Sequence, residues 1–188
     1  IRDRPQNRDT TPETALKPGM TMTLTYDPDA GLAPLEFSVS KNLNAKNDAE
    51  RAELLADPQF GTAFTDHMID VCWSVRGGWH RPRVQPYGPL SLDPAAAVLH
   101  YGQEIFEGIK AYRHADGSIH TFRPDQNGKR LQRSARRLAL PELPVEYFIQ
   151  SLRELIAVDG AWVPSGADQS LYLSLIHISE PTRLLSIS

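Results

Sequence analysis

An α+β fold, with antiparallel hairpins and two helices packed against them, is what this 188-residue sequence predicts. Three observations lead there. Two segments rich in β-branched and aromatic residues each fold about a glycine turn, at Gly77-Gly78 and at Asp116-Gly117. Two amphipathic stretches of helical period follow with no strand between them, and a further apolar run, "SLYLSLIHI", comes after both. The order hairpin, hairpin, helix, helix, strand lacks the alternation of βαβ units, so a parallel sheet is not expected.

Taken in order, residues 1–25 hold no aromatic residue and three prolines, Pro5, Pro12 and Pro18, among scattered charges. Such a segment cannot repay the cost of ordering and is expected to be a disordered leader, with Met20 or Met22 as an alternative start. Asp3, Asp9 and Glu13 argue against a transit peptide. Residues 26–57 form an N-terminal arm: a short apolar island from Leu35 to Val39, then the polar helical stretch "NDAERAELLADPQ", closed by Pro58. The first hairpin occupies "FTDHMIDVCWSVRGGWHRPRVQPY". Asp93-Pro94 reads as a turn, and Tyr101 to Glu107 as a short helix stopped by Gly108.

The second hairpin, "IKAYRHADGSIHTFRP", sets Ile109, Ala111 and Tyr112 against Ile119, Thr121 and Phe122. Its Asp-Gly turn readily adopts the positive φ angles that tight hairpins require. Pro124 opens a helix that runs to about Leu138, with Leu131, Ala135 and Leu138 as its apolar stripe. Gly128 within it costs about 1 kcal/mol relative to alanine. In "PVEYFIQSLRELIAVDGAW", Phe148, Leu152 and Leu155 share a face with Ile149 and Ile156, Pro144 suits the first turn and Gly160 the end.

Composition narrows the function. With 40% hydrophobic residues the chain can bury one sizeable core, and a net charge of −3 gives no excess of positive charge to gather a polyanion, so nucleic acid is not the expected partner. The single cysteine, Cys72, cannot form an internal disulfide, and no metal-ligand spacing joins it to His67, His100, His114 or His120. No apolar run approaches the ~18 residues of a membrane span, and no secretory signal opens the chain. A cytoplasmic protein without a bound metal is the expectation.

Two clusters can carry chemistry. Arg123, Lys129, Arg130, Arg133, Arg136 and Arg137 form a basic helix. Most of a charge run of this kind solvates a helix face, yet an arginine beside the apolar stripe can grip a phosphate with its planar donors, and Arg130 directly precedes Leu131. In "LHYGQEIFEGIKAY", Tyr101, Phe106 and Tyr112 are spaced by Gly102 and Gly108. Such aromatics are more often core than pocket, although glycines permit close backbone approach. Lys110 lies on an alternating strand, where an exposed side chain is expected rather than a nucleophile. No G-x-S-x-G, Walker A or G-x-G-x-x-G sequence is present.

The segments "FGTAFTDHMI", "RPRVQPYGPLSLDPAAAVLHYGQEIFEGIKAY", "FRPDQNGKRLQRSARRLALPELP" and "LRELIAVDGAWVP" together resemble the branched-chain amino acid aminotransferases, pyridoxal-phosphate enzymes of fold type IV, collinearly from about Ser38 to Leu173. The resemblance implies transfer of an amino group between leucine, isoleucine or valine and 2-oxoglutarate, in amino-acid biosynthesis, by a homodimer. Its site lies between a small N-terminal domain, here 58–173, and a large domain carrying the lysine that holds the cofactor. Arg130 falls on the family's N-x-x-R arginine, Asn127 to Arg130, which binds the cofactor phosphate. Phe60, Tyr101, Phe106 and Tyr172 match aromatic positions of the substrate side-chain pocket, whereas Lys110 does not match the cofactor lysine.

The family pattern continues from Ser-Leu-Tyr-Leu with an arginine and a proline, whereas position 174 is serine. Residues 174–188 are therefore expected to be foreign to the fold, the large domain to be absent and this fragment to be inactive. The contrasting expectation is a non-enzymatic short module that binds or dimerises through the small-domain fold.

Overall fold

The computed structural model describes residues 32–58, 60–166 and 168–179. The leader expected over 1–25, the start of the arm and the end of the tail lie outside the described residues. Within them the chain is α+β, with two three-stranded sheets and helices laid on one of them.

The first sheet has the order β1-β3-β2, from β1 (Ser38–Val39), β2 (His67–Ser74) and β3 (Gly78–Pro86). β2 and β3 are the antiparallel hairpin read from the sequence, and the two-residue β1 joins β3 in parallel. Between β1 and β2 stands α1 (Asp48–Ala56), the polar helix of the arm. Asn47 caps it: its side-chain oxygen accepts from the Ala49 and Glu50 amides at 2.9 and 3.0 Å, while Glu50 Oε2 accepts from the Asn47 amide at 2.9 Å.

The second sheet has the order β5-β4-β6, with β4 (Glu104–Arg113) central between β5 (Ile119–Thr121) and β6 (Leu171–Ile178), both antiparallel to it. The two helices α3 (Pro124–Arg137) and α4 (Val145–Asp159) cover one face of this sheet. Ile109, Ala111, Ile119, Leu131, Phe148 and Ile156 close the core between them. Gly128 is what lets the helices approach, since a Cβ there would lie 3.2 Å from Val145 Cγ1 and 3.3 Å from Phe148 Cδ1. Leu138, expected in the apolar stripe, lies just past the helix and is exposed.

One expected element is corrected. The helix read over Tyr101–Glu107 is displaced upstream as α2 (Ala97–Tyr101), and Glu104 onward is strand. The stop is Gly102 rather than Gly108: Gly102 sits at φ +60°, and its amide donates to Val98 O at 3.1 Å. From Glu104 the burial alternates, with Ile105, Glu107, Ile109 and Ala111 covered and Phe106, Lys110 and Tyr112 open. The core position expected for Tyr101, Phe106 and Tyr112 is overturned: Phe106 and Tyr112 lie on the open face of β4, and Tyr101, at the end of α2, is exposed. β6 holds register with β4 from Leu171 opposite Ala111 to Ile178 opposite Glu104, so the strand begun by 170–173 runs on through residue 178.

α3 ends in a Schellman turn: the Leu140 amide donates to Ala135 O at 2.9 Å, and the Ala139 amide to Arg136 O at 3.4 Å. Ala139 occupies its left-handed position at φ +54°, where a Cβ is unfavourable. Ala139→Gly should therefore raise stability by about 1 kcal/mol, read as a higher urea midpoint with an unchanged slope. A lower midpoint would contradict the strain.

The arm is fastened to the core by side chains. The Leu35 amide donates to Gln150 Oε1 at 2.9 Å, Gln150 Nε2 returns a bond to Leu35 O at 2.7 Å, and Tyr147 Oη donates to Ala33 O at 3.0 Å. Deeper in, the Asn42 amide donates to His67 Nε2 at 2.9 Å, so the ring proton sits on Nδ1, which donates to Asp159 Oδ1 at 2.7 Å. Asp66 accepts from the Lys46 amide at 3.1 Å and from Trp162 Nε1 at 2.8 Å. Each of these buried carboxylates answers donors that would otherwise be stranded.

Candidate functional site

The site is built where α3 crosses the middle of β4. Glu107 takes an inward position on β4, between Ile105 and Ile109, where the alternation calls for an apolar side chain. Only 4% of it is exposed. A carboxylate there must be fully bonded to remain charged. Its partners come from Asn127 and Arg130, which share one face of α3 by being three residues apart. Arg130 Nε donates to Oε2 at 2.7 Å and Nη2 to Oε1 at 2.5 Å; Asn127 Nδ2 donates to Oε1 at 3.1 Å, as does the Gly108 amide at 2.9 Å. Asn127 Nδ2 also bonds Gly108 O at 3.0 Å, tying the helix to the strand backbone.

Burial favours the neutral acid at Glu107, but the bonds from Arg130, Asn127 and the Gly108 amide outweigh it and hold the carboxyl below the usual range. The same pairing raises the already high value of Arg130. Both groups are charged at neutral pH. Their exposures differ sharply, since the Arg130 side chain is 60% exposed and that of Glu107 only 3%.

Arg130, Ser134, Glu107, Gly108, Phe106 and Tyr172 line a cavity of about 260 Å³. Lys110 of β4 lies opposite Tyr172 of β6, which reaches across the bare backbone of Gly108: a Cβ at 108 would lie 2.1 Å from the Tyr172 hydroxyl oxygen. Phe60 meets the Tyr172 ring edge-on, with centroids 5.4 Å apart at 65°. The structure thus brings together Arg130, Phe106, Tyr172 and Phe60. It does not bring Tyr101 to them: that residue ends α2, is 86% exposed, and its ring neighbour is His100 at 6.2 Å.

Sequence reasoning missed Glu107 as the anchor of the arginine. The available signal was an acid at a core-facing position of an alternating strand, together with two polar residues three apart on the next helix. A larger cavity of about 570 Å³ lies at the far end of the β4–β5 hairpin beside Arg113 and His114. Arg113 spends its donors on the carbonyls of Val163, Gly117 and Gly160, at 3.0, 3.2 and 2.6 Å, and stands as a staple rather than a ligand group. Among the described residues, no three His, Cys, Asp or Glu are grouped to hold a metal, and no helix is long and apolar enough to cross a membrane.

The geometry is that of an exposed arginine, fixed along one edge by a buried acid at the mouth of an aromatic-walled cavity on an α+β layer. Comparison with known proteins says which family of enzymes the sequence comes from. The chain is 63% identical over 141 residues to a branched-chain-amino-acid aminotransferase of Mycolicibacterium smegmatis, which covers 74% of this chain and 38% of that protein. It is 58% identical over 128 residues to a probable branched-chain-amino-acid aminotransferase of Streptomyces coelicolor, covering 68% of the chain and 35% of the relative. The mitochondrial branched-chain-amino-acid aminotransferase of Saccharomyces cerevisiae is 41% identical over 159 residues, 85% of the chain and 39% of the relative. No family profile matches the chain. Over its matched residues the chain belongs to the branched-chain-amino-acid aminotransferases, and it spans about two fifths of the length of these relatives.

Proposed function

We propose that the chain supplies the small-domain half of a pyridoxal-5'-phosphate-dependent branched-chain aminotransferase, in which Arg130 binds the cofactor phosphate. The observation that carries this reading is the pairing of Arg130 with Glu107, which engages two of the five guanidinium N–H groups on an otherwise exposed head. The other three find no acceptor among the described residues. A phosphate, with several anionic oxygens, fits that donor set. The bare Gly108 backbone under Tyr172 fits an approaching ligand, because any side chain there would collide. The cavity is smaller than the ~300–1,000 Å³ of a complete small-molecule site, which suits a half-site closed by further sequence.

Phe60, Phe106 and Tyr172 form the apolar wall for leucine, isoleucine or valine, and Tyr101 joins it only if α2 is repositioned in the full-length protein. One methylene contributes about 1–3 kcal/mol of discrimination, so such a wall accepts all three amino acids. Bound pyridoxal phosphate supplies the electron sink that allows amino transfer to a 2-oxo acid. A lysine made nucleophilic by desolvation is also required. Among the described residues every lysine, Lys41, Lys46, Lys110 and Lys129, is exposed and none is desolvated, so this part of the chain should not by itself transfer an amino group. The open face of β4 and β6, with Phe106, Tyr172 and Ile176, is where the remaining domain and a homodimer partner would close. A cytoplasmic, biosynthetic enzyme is the setting we propose.

The test is titration of the full chain with pyridoxal 5'-phosphate and with pyridoxal. Arg130→Ala should weaken the phosphate ester about tenfold while leaving pyridoxal unchanged, and Arg130→Lys should fall between. Equal affinity of the wild type and Arg130→Ala for the phosphate ester would overturn the assignment. Amino transfer from leucine by the 188-residue chain would overturn the claim that it is only half an enzyme.

A further inference from the structure

Glu107 is buried, on the helix-covered face of β4, yet it spends two bonds on an arginine head that is mostly in solvent. An exposed arginine needs no internal partner to be satisfied, and an acid in the core is costly to keep there. The direction of the bonds accounts for both. They take the Nε and Nη2 edge of the guanidinium, at 2.7 and 2.5 Å, and so fix the rotation of the planar head. Asn127 and the Gly108 amide fix the carboxylate in turn, at 3.1 and 2.9 Å. The whole unit is referred to the backbone of β4 through Gly108, the residue that floors the cavity.

We propose that Glu107 is a positioning residue for phosphate: it holds Arg130 by one edge so that the guanidinium's remaining donors form a preformed anion site beside Tyr172. The inference rests on the assignment of Arg130 to phosphate above. A free arginine loses rotamer freedom on binding, and a head already fixed loses less, so the anchor strengthens binding. Glu107 also places a negative charge near the anion, which opposes binding. The two effects have opposite sign and separate cleanly, because only the first acts through Arg130.

The experiment is a double-mutant cycle in the full chain, with affinity for inorganic phosphate and for pyridoxal 5'-phosphate followed by titration. The variants are Glu107→Gln, Arg130→Ala and the pair, and each thermal midpoint is recorded. Glu107→Gln keeps the side-chain volume and one acceptor, which protects against simple loss of the fold. With Arg130 present, the substitution should weaken phosphate binding roughly three- to tenfold. With Arg130→Ala already in place, the same change should be neutral or slightly favourable, since Glu107 then has no guanidinium to hold and contributes at most a like charge. The side-chain Nε–H resonance of Arg130 should broaden or shift in Glu107→Gln before any ligand is added. An equal weakening in both backgrounds would mean a merely structural acid and would overturn the proposal. If Arg130→Ala itself leaves phosphate affinity unchanged, the assignment of Arg130 fails instead. If Glu107→Gln lowers the midpoint without altering affinity, positioning is likewise overturned.

Discussion

Asp159→Ala should cost about 3 kcal/mol of stability and release the N-terminal arm. Asp159 closes α4 and is 3% exposed. A negative charge at a helix C-terminus is unfavourable by ~0.3–1 kcal/mol, so its presence there is offset by what it binds. Oδ1 accepts a hydrogen bond from His67 Nδ1 at 2.7 Å and Oδ2 one from the His67 amide at 2.8 Å, both of them buried donors. Alanine would strand both, at roughly 1–3 kcal/mol each. The effect should travel, because the opposite edge of the same imidazole accepts the Asn42 amide and so holds the arm. Urea denaturation checks the magnitude and amide exchange checks the reach: Asn42 and Lys46 should lose protection while the α3 amides keep theirs. A loss under 1 kcal/mol, or unchanged protection at Asn42, would show that the clasp carries little. Against a total stability of ~5–15 kcal/mol, the expected loss is a large part.

The elements legible in sequence were those with a strong period or an explicit stop. Both hairpins declared themselves by glycine turns, and α3 and α4 by stripes such as Leu131 with Ala135 and Phe148 with Leu152. The region before β4 was ambiguous because it offers two glycines, Gly102 and Gly108, six residues apart, and either can end a helix. The backbone decides: Gly102 lies at positive φ, whereas Gly108 lies in the strand under Tyr172. The exposure of Phe106 and Tyr112 was legible only once the strand was known to begin at Glu104, since a period of two then sends them away from Ile105 and Ile109.

The site divides in the same way. Arg130 was reachable from its place beside the apolar stripe and from the resemblance of N-x-x-R. Its partner was signalled only indirectly, by an acid falling on the core-facing side of β4, and that side was legible only once the strand was known to begin at Glu104; the pairing itself spans 23 residues. The clasp around His67 was hidden for the same reason, with 92 residues separating it from Asp159.

Gly108→Leu should abolish most ligand binding while leaving the fold in place, and the two outcomes follow from different atoms. Even a Cβ at this position would stand 2.1 Å from the Tyr172 hydroxyl oxygen and 2.6 Å from Cζ, well inside contact distance. Those atoms are the far end of a side chain that is 39% exposed, so Tyr172 can swing outward without moving the strands. The core is untouched, because Ile109 and Ala111 lie on the other face of β4, the face that packs with Leu131 of α3. Stability should therefore change by about 1 kcal/mol or less, the displaced contact with Phe60 being partly offset by removing a glycine from a strand.

The cavity has no such tolerance. The leucine side chain would enter the space between Tyr172 and Arg130, and the aromatic wall would leave as the obstruction arrived. Overpacking and the lost wall together amount to about 3 kcal/mol, or roughly a hundredfold in affinity for pyridoxal 5'-phosphate. Gly108→Ala should fall between, and removing the ring in Gly108→Ala/Tyr172→Ala should relieve the collision and restore part of the phosphate affinity, since Arg130 and Glu107 are unaltered. Thermal melting beside ligand titration separates the two effects. Wild-type affinity in Gly108→Leu would place the ligand elsewhere on the molecule, and cooperative unfolding lost in Gly108→Ala would show that Tyr172 cannot move as its exposure indicates.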